Sequence, residues 1–128
     1  MSGSYRDIKA WQKAIELVVE VYSSTRGFPR EELYGLANQL RRASVSIASN
    51  IAEGKGRCTD KEFLLFLLFL HHARGSVFEV ETQLILAGRL GFITQAEAER
   101  IGSLAGEIAR MLNGLITAIR SGGGERAA

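Results

Sequence analysis

An all-α, antiparallel up-down-up-down four-helix bundle is the fold that three observations predict. Apolar residues recur at intervals of three and four through four long segments. The 128-residue chain holds one proline, Pro29, and eleven of its fourteen glycines precede a C-terminal glycine run, so breaks are few and punctuated. The connections are too short to carry the chain back across a bundle, which makes consecutive helices antiparallel neighbours. No segment alternates in the manner of a strand, and no repeat of fixed period stands out. The length suits one domain with a genuine core, expected over residues 1–120, followed by a flexible tail over 121–128.

Helix one is predicted from Tyr5 to Arg26, with Ile8, Trp11, Ile15, Val18 and Tyr22 on its apolar side and Lys9, Lys13, Glu16 and Glu20 elsewhere. Gly27 is placed to end it as the residue after the cap. Pro29 fits the first turn of helix two, expected from Arg30 to Glu53, where Glu31 and Glu32 meet the positive end of the helix dipole. Gly54-Lys-Gly-Arg-Cys58 reads as a glycine-rich break. Thr59-Asp-Lys-Glu62 then matches a capping box opening helix three, which runs to about Arg89 before Gly91 stops it. A second capping box, Thr94-Gln-Ala-Glu97, opens helix four, whose stripe is Ile101, Leu104, Ile108, Leu112, Leu115 and Ile119.

Helix two carries two stripes. Leu36, Leu40, Ala43, Ile47 and Ile51 form a core side, while Gln39, Arg42, Ser46, Ser49 and Glu53 recur on another. Helix three has a matching polar stripe in His72, Ser76, Glu79 and Gln83. If the two face each other, Arg42 and Glu79 become partners, small residues at Ala43, Ser46, Gly75 and Ser76 permit close approach, and Arg42, Asn50, Glu53 and Glu79 are expected as buried polar packing that sets register. A solvated face and a ligand site are the alternatives. Phe63-Leu-Leu-Phe-Leu-Leu-Phe-Leu70 is apolar on every side, more than a bundle helix needs. Phe63, Phe66, Phe69 and Leu70 are accordingly expected at an interface between copies, since exposed patches of this size usually mark one, a membrane surface and an unusually deep core being the alternatives. A membrane is not expected: this run is far short of the roughly 20 residues that span a bilayer, and it lacks the opposing basic face of a surface helix.

Catalytic and metal chemistry find little footing. His71 and His72 are adjacent, so they point about 100 degrees apart on a helix and cannot grip one ion. The Glu-x-x-His pairs of di-iron bundles are absent. Cys58 has Arg57 beside it, a setting that favours a thiolate, but no histidine nearby in sequence completes a nucleophile pair, and a structural cysteine is the alternative. Gly54-Lys-Gly-Arg57 lacks the spacing of a phosphate loop. What survives is electrostatic: Lys55, Arg57 and Lys61 around a helix start can hold a backbone phosphate, the alternative being a solvated basic turn. No cofactor or metal is expected, and no enzyme. Sixteen basic against fourteen acidic residues leave a net charge of +2, a sizeable field only when multiplied across an oligomer. A single cysteine and the absence of an apolar leader after Met1 make the cytoplasm the expected compartment.

The stretch Tyr34-Gly-Leu-Ala-Asn-Gln-Leu-Arg-Arg-Ala-Ser-Val-Ser-Ile-Ala-Ser-Asn-Ile-Ala-Glu-Gly-Lys-Gly-Arg57 closely resembles the signature of the four-helix bundle family named for proteins encoded in intervening sequences of 23S ribosomal RNA genes. Trp11-Gln-Lys-Ala14, Phe28-Pro29 with Glu32, and Ala73-Arg-Gly-Ser76 with Glu79, Glu81, Thr82 and Gln83 fit it too. The resemblance implies a homopentameric barrel, and it extends to accessory proteins of diversity-generating retroelements, which bind nucleic acid and a reverse transcriptase. Ala48 stands where the family pattern usually has proline, which implies a straighter helix two. The expected function is a homo-oligomeric bundle binding structured RNA or DNA through charge and shape, with Arg41, Lys55, Arg57 and Lys61 on phosphate. The alternative is a protein-interaction scaffold for a partner such as a reverse transcriptase.

Overall fold

The computed structural model describes residues 3–57 and 63–127. Four α-helices, α1 (Lys9–Thr25), α2 (Leu36–Arg57), α3 (Phe63–Arg89) and α4 (Gln95–Ala127), form the bundle, with short 3-10 turns at Tyr5–Asp7 and Arg30–Glu32. Each helix packs on the one before and after it, and α1 closes the square against α4, leaving α1 and α3 on one diagonal and α2 and α4 on the other. The packing sense is legible in the side chains. Gly54 lies against Phe69 while Ser46 meets Ser76, and Lys13 reaches Glu107 while Arg100 reaches Glu20. In both pairs residue numbers rise on one helix as they fall on the other, which is antiparallel packing.

The core is a column of aliphatic residues from all four helices, among them Leu17, Val21, Leu40, Ile47, Ile51, Leu70, Val77, Leu84, Ile101, Ile108 and Leu112. On α2 and α4 these are the predicted stripe positions, but on α1 the core side is Ala10, Ala14, Leu17 and Val21, while Ile15 and Tyr22 of the predicted stripe are exposed; removal of the core from water is the main favourable term in forming the bundle. Phe28 and Phe92 meet at 5.4 Å between ring centres, their planes tilted by 51°, and tie the first and last connections together at one end.

Helix boundaries follow the predicted signals with informative departures. The predicted start of helix one is a 3-10 turn capped by Ser4, and Ile8 is extended before α1 begins. Gly27 follows the α1 cap without adopting positive φ; Gly91, at φ 78°, does adopt it where α3 ends, and a side chain there would strain the backbone. Glu32 does meet a helix dipole, since its Oε1 accepts from the Leu36 N–H at 3.0 Å, at the start of α2 proper. The Thr94 hydroxyl accepts from the Glu97 N–H at 3.1 Å and caps α4.

Two departures concern glycines. Residues 54–57, read as a break, are the last turn of α2. Gly54 is there because a Cβ would stand 2.6 Å from the Cβ of Phe69, so α2 and α3 approach closely at that point. The Thr59–Glu62 capping box and Cys58 lie outside the described residues. At the other end α4 runs on to Ala127, past residue 120 where a tail was expected; glycine lowers helix stability by about 1 kcal/mol per residue without forbidding the conformation. α2 passes through buried Ala48 as one uninterrupted helix, as the absence of a proline there implies.

α3 is 27 residues long and its most apolar 18-residue stretch has a mean hydropathy of 1.4, enough by length and composition to cross a membrane. It also carries buried Ser76 and Gln83 and packs on both α2 and α4, the position of a bundle's core helix.

Candidate functional site

Of the four residues expected on phosphate, Arg41 and Arg57 are engaged within the chain. Arg41 is committed within the chain: its Nε donates to Thr25 Oγ1 at 2.8 Å and its guanidinium lies 5.0 Å from the centre of the Tyr22 ring. Arg57 pairs with Glu53 at 3.3 Å one turn back on α2 and sits 6.0 Å from the Phe69 ring. Lys55 occupies the same last turn, half-buried and with an interaction of its own. Lys61 lies outside the described residues.

The expected buried polar set is corrected as well. Arg42, Glu53 and Glu79 are exposed and Asn50 is half-buried, and Arg42 and Glu79 form no ion pair. Small side chains bring α2 and α3 together instead. Ser76 Oγ donates to Ser46 Oγ at 2.9 Å, and Asn50 Nδ2 donates to the Ser46 carbonyl at 2.8 Å. Longer polar side chains are pushed to the rim, where Arg42 and Glu79 flank a cavity of about 460 Å³ above Gln83. Gln83 is only 8% exposed and its Oε1 has no hydrogen-bond partner. Gly75, expected in the close approach, faces open space.

The apolar run of α3 is divided differently from its expected role. Phe66 and Leu70, at 1% and 0% exposure, belong to the chain's own core and are not available to another copy. Phe63 is partly buried against that core, and Phe69 is covered by Gly54 and Arg57. The residues left outside are Leu64, 70% exposed, and Leu68, followed along the outward side of α3 by Phe78, Ile85 and Leu86. On α1, diagonally opposite, Ile15, Val19 and Tyr22 form a second exposed apolar stripe, with Val45 of α2 also exposed.

One basic cluster escapes sequence reading. On the face shared by α3 and α4, Arg74 Nη2 lies 3.0 Å from His71 Nδ1 and Arg120 Nη2 lies 3.1 Å from His71 Nε2. Arg74 Nη1 donates to Asn113 Oδ1 at 2.9 Å. Burial, then the charges of Arg74, Arg120 and His72, hold the His71 pKa below its ordinary 6.5. Spacing could have placed His71 and Arg74 one turn apart, but Asn113 and Arg120 come from a helix 39 and 49 residues away. Among the described residues, no three His, Cys, Asp or Glu side chains gather as metal ligands would.

Comparison with known proteins supplies the remaining context. No curated protein matches the chain. A solved structure from Bacteroides thetaiotaomicron, a protein of unknown function from the S23 ribosomal protein family, superposes with a TM-score of 0.75 at 24% identity, over 84% of this chain and 97% of that one. At that identity the likeness establishes the shared four-helix fold. The family model described as 23S rRNA-intervening sequence protein matches residues 6–114, which takes in α1 to α3 and the first part of α4, and the chain belongs to the 23S rRNA-intervening sequence protein family.

Proposed function

We propose that the chain is a non-catalytic helical bundle that closes with copies of itself into a ring, a pentamer as the resemblance implies, and that the ring holds structured RNA or DNA by charge and shape. The observation that carries this reading is apolar surface exposed on two diagonally opposite helices, α1 and α3. One such stripe would suit a two-fold dimer in which like meets like. Two different stripes on opposite corners suit a heterologous contact, the α1 surface of one copy against the α3 surface of the next, and such contacts form rings when the rotation closes. Val19, 64% exposed, and Ile85, 59% exposed, are the central side chains of the two surfaces. A ring also multiplies the +2 of each chain, which favours a polyanion over the lone subunit.

Light scattering after gel filtration tests the assembly. The parent chain is expected as an oligomer, and Val19→Glu and Ile85→Glu as smaller species. Mixing the two variants leaves one intact pair of surfaces and restores a heterodimer, a result that a two-fold interface does not produce. A monomeric parent would overturn the ring. Retention of a structured RNA that weakens steeply with added salt tests the second half, because phosphate contacts release counterions. An accessory role toward a protein such as a reverse transcriptase is the second reading. It draws on the Leu64 and Leu68 patch, which His71, His72 and Gly75 separate from Phe78 and Ile85 along α3.

A further inference from the structure

We propose that Arg74, His71 and Arg120, on the face shared by α3 and α4, form a seat for a phosphate group. The inference rests on the nucleic-acid reading only for the source of the phosphate.

Hydrogen-bond accounting carries the argument. A neutral imidazole has one acceptor nitrogen and one N–H, whereas a guanidinium only donates. Two guanidinium groups nevertheless face the two ring nitrogens of His71, at 3.0 and 3.1 Å. One contact therefore sets donor against donor whichever tautomer is present. Protonating His71 makes matters worse, since three cations would then share the spot, and the direction of its pKa agrees. Arg74 has an acceptor in Asn113; Arg120, among the residues whose side chains are described, meets only the ring.

No carboxylate among the residues whose side chains are described answers the charge. Elsewhere the cations that bridge helices meet acids, Lys13 with Glu107 at 3.9 Å and Arg100 with Glu20 at 3.0 Å. Among the described residues, neither Arg74 nor Arg120 has an acid within ion-pair distance. The arrangement wants an anion with several oxygens: a phosphate accepts from both guanidinium forks and from the imidazole N–H together, and turns each opposed contact into a charge-assisted bond. The seat is open to a strand, since Asn113 and Arg120 are exposed and His71 and Arg74 half-exposed.

Two measurements on the full chain test this. Inorganic phosphate is titrated while the ring protons of His71 are followed by NMR across pH. Binding is expected to raise the His71 pKa toward its ordinary value, and Arg120→Gln to abolish the effect. Separately, a short RNA hairpin, its DNA counterpart and AMP are bound over a range of salt concentrations. Arg74→Gln and Arg120→Gln are each expected to weaken hairpin binding several-fold and to lower the slope of log affinity against log salt by about one. Arg89→Gln, at the far end of α3, is expected to leave both unchanged, and helical melting of each variant controls for folding. AMP binding as tightly as the hairpins assigns the seat to a free nucleotide. If phosphate moves His71 but no hairpin binds, the seat stands and the nucleic-acid reading fails. If hairpins bind with slopes unchanged in both variants, or phosphate leaves His71 unmoved, the seat is overturned.

Discussion

Replacing Gly54 by alanine should destabilise the fold, against the usual rule for a glycine inside a helix. That rule predicts a gain of about 0.8–1.0 kcal/mol, because alanine loses less conformational entropy than glycine. At position 54 the new Cβ would stand 2.6 Å from Phe69 Cβ, 3.1 Å from Phe66 Cδ1 and 3.3 Å from Phe69 Cγ. Phe69 Cβ is attached directly to the α3 backbone and cannot rotate away, so relief requires α2 and α3 to separate. Overpacking of this kind costs about 1–3 kcal/mol, and separation along the Ser46–Ser76 seam adds to it, so a net loss of about 1–2 kcal/mol is expected. Gly75→Ala and Gly114→Ala provide the contrast, since a Cβ at either place meets nothing within 4 Å; each should stabilise by roughly 0.5–1 kcal/mol. Urea unfolding at one fixed protein concentration, followed by circular dichroism, reads all three, the concentration being held because assembly shifts apparent stability. A Gly54→Ala midpoint at or above those of the other two would refute the close approach of α2 and α3.

The remaining predictions concern polar groups. Gln83→Met keeps the length of the side chain and removes the buried unpartnered Oε1; urea unfolding should show it neutral or more stable by about 1 kcal/mol, and a loss of more than about 1 kcal/mol would mean that the oxygen is satisfied in solution. Because the folded chain holds the His71 pKa below 6.5, the unfolded chain takes up the proton first as pH falls, so this group's contribution is present above 6.5 and is lost on acidification through the lower folded value. Thermal melts from pH 7.5 down to 5 should show parent stability falling more than that of His71→Gln, and parallel curves would contradict the assignment.

The division between what was legible and what was not follows the range of the forces involved. Helix existence, the two glycine stops and the Thr94 cap are local: each depends on residues within one or two turns, and periodicity reports them directly. Gly54 shows where local reading fails. A glycine near a helix end and a glycine needed for close packing look identical in one dimension, and only the position of Phe69 separates them. The same holds for Phe63 to Leu70. A run apolar on every side carries no sign of which side faces the core, so Phe66 and Leu70 were expected at a surface although the bundle buries them. Arg42 and Glu79 were expected as buried partners but stand exposed on the rim of the α2–α3 contact with a cavity between them, because which members of two matching stripes meet depends on how the helices are set against each other.

By itself, the sequence determined the all-α class, the four helices, the apolar stripes of α2 and α4 and, through the long Tyr34 to Arg57 signature, the family, all of which depend on near neighbours in the chain; which side of α1 faces the core, Ala10, Ala14, Leu17 and Val21, it did not. Only the tertiary structure decided which charges are already paired and which are left over. Arg41 and Arg57 look as free as Arg74 and Arg120 on paper. Packing gives Arg41 Thr25 and Tyr22 as partners and sets Arg74 and Arg120 against a single imidazole with no acid among the described side chains in reach, because these contacts depend on distances between helices that sequence spacing does not encode; only the Arg57–Glu53 pair, one turn apart on α2, was open to spacing.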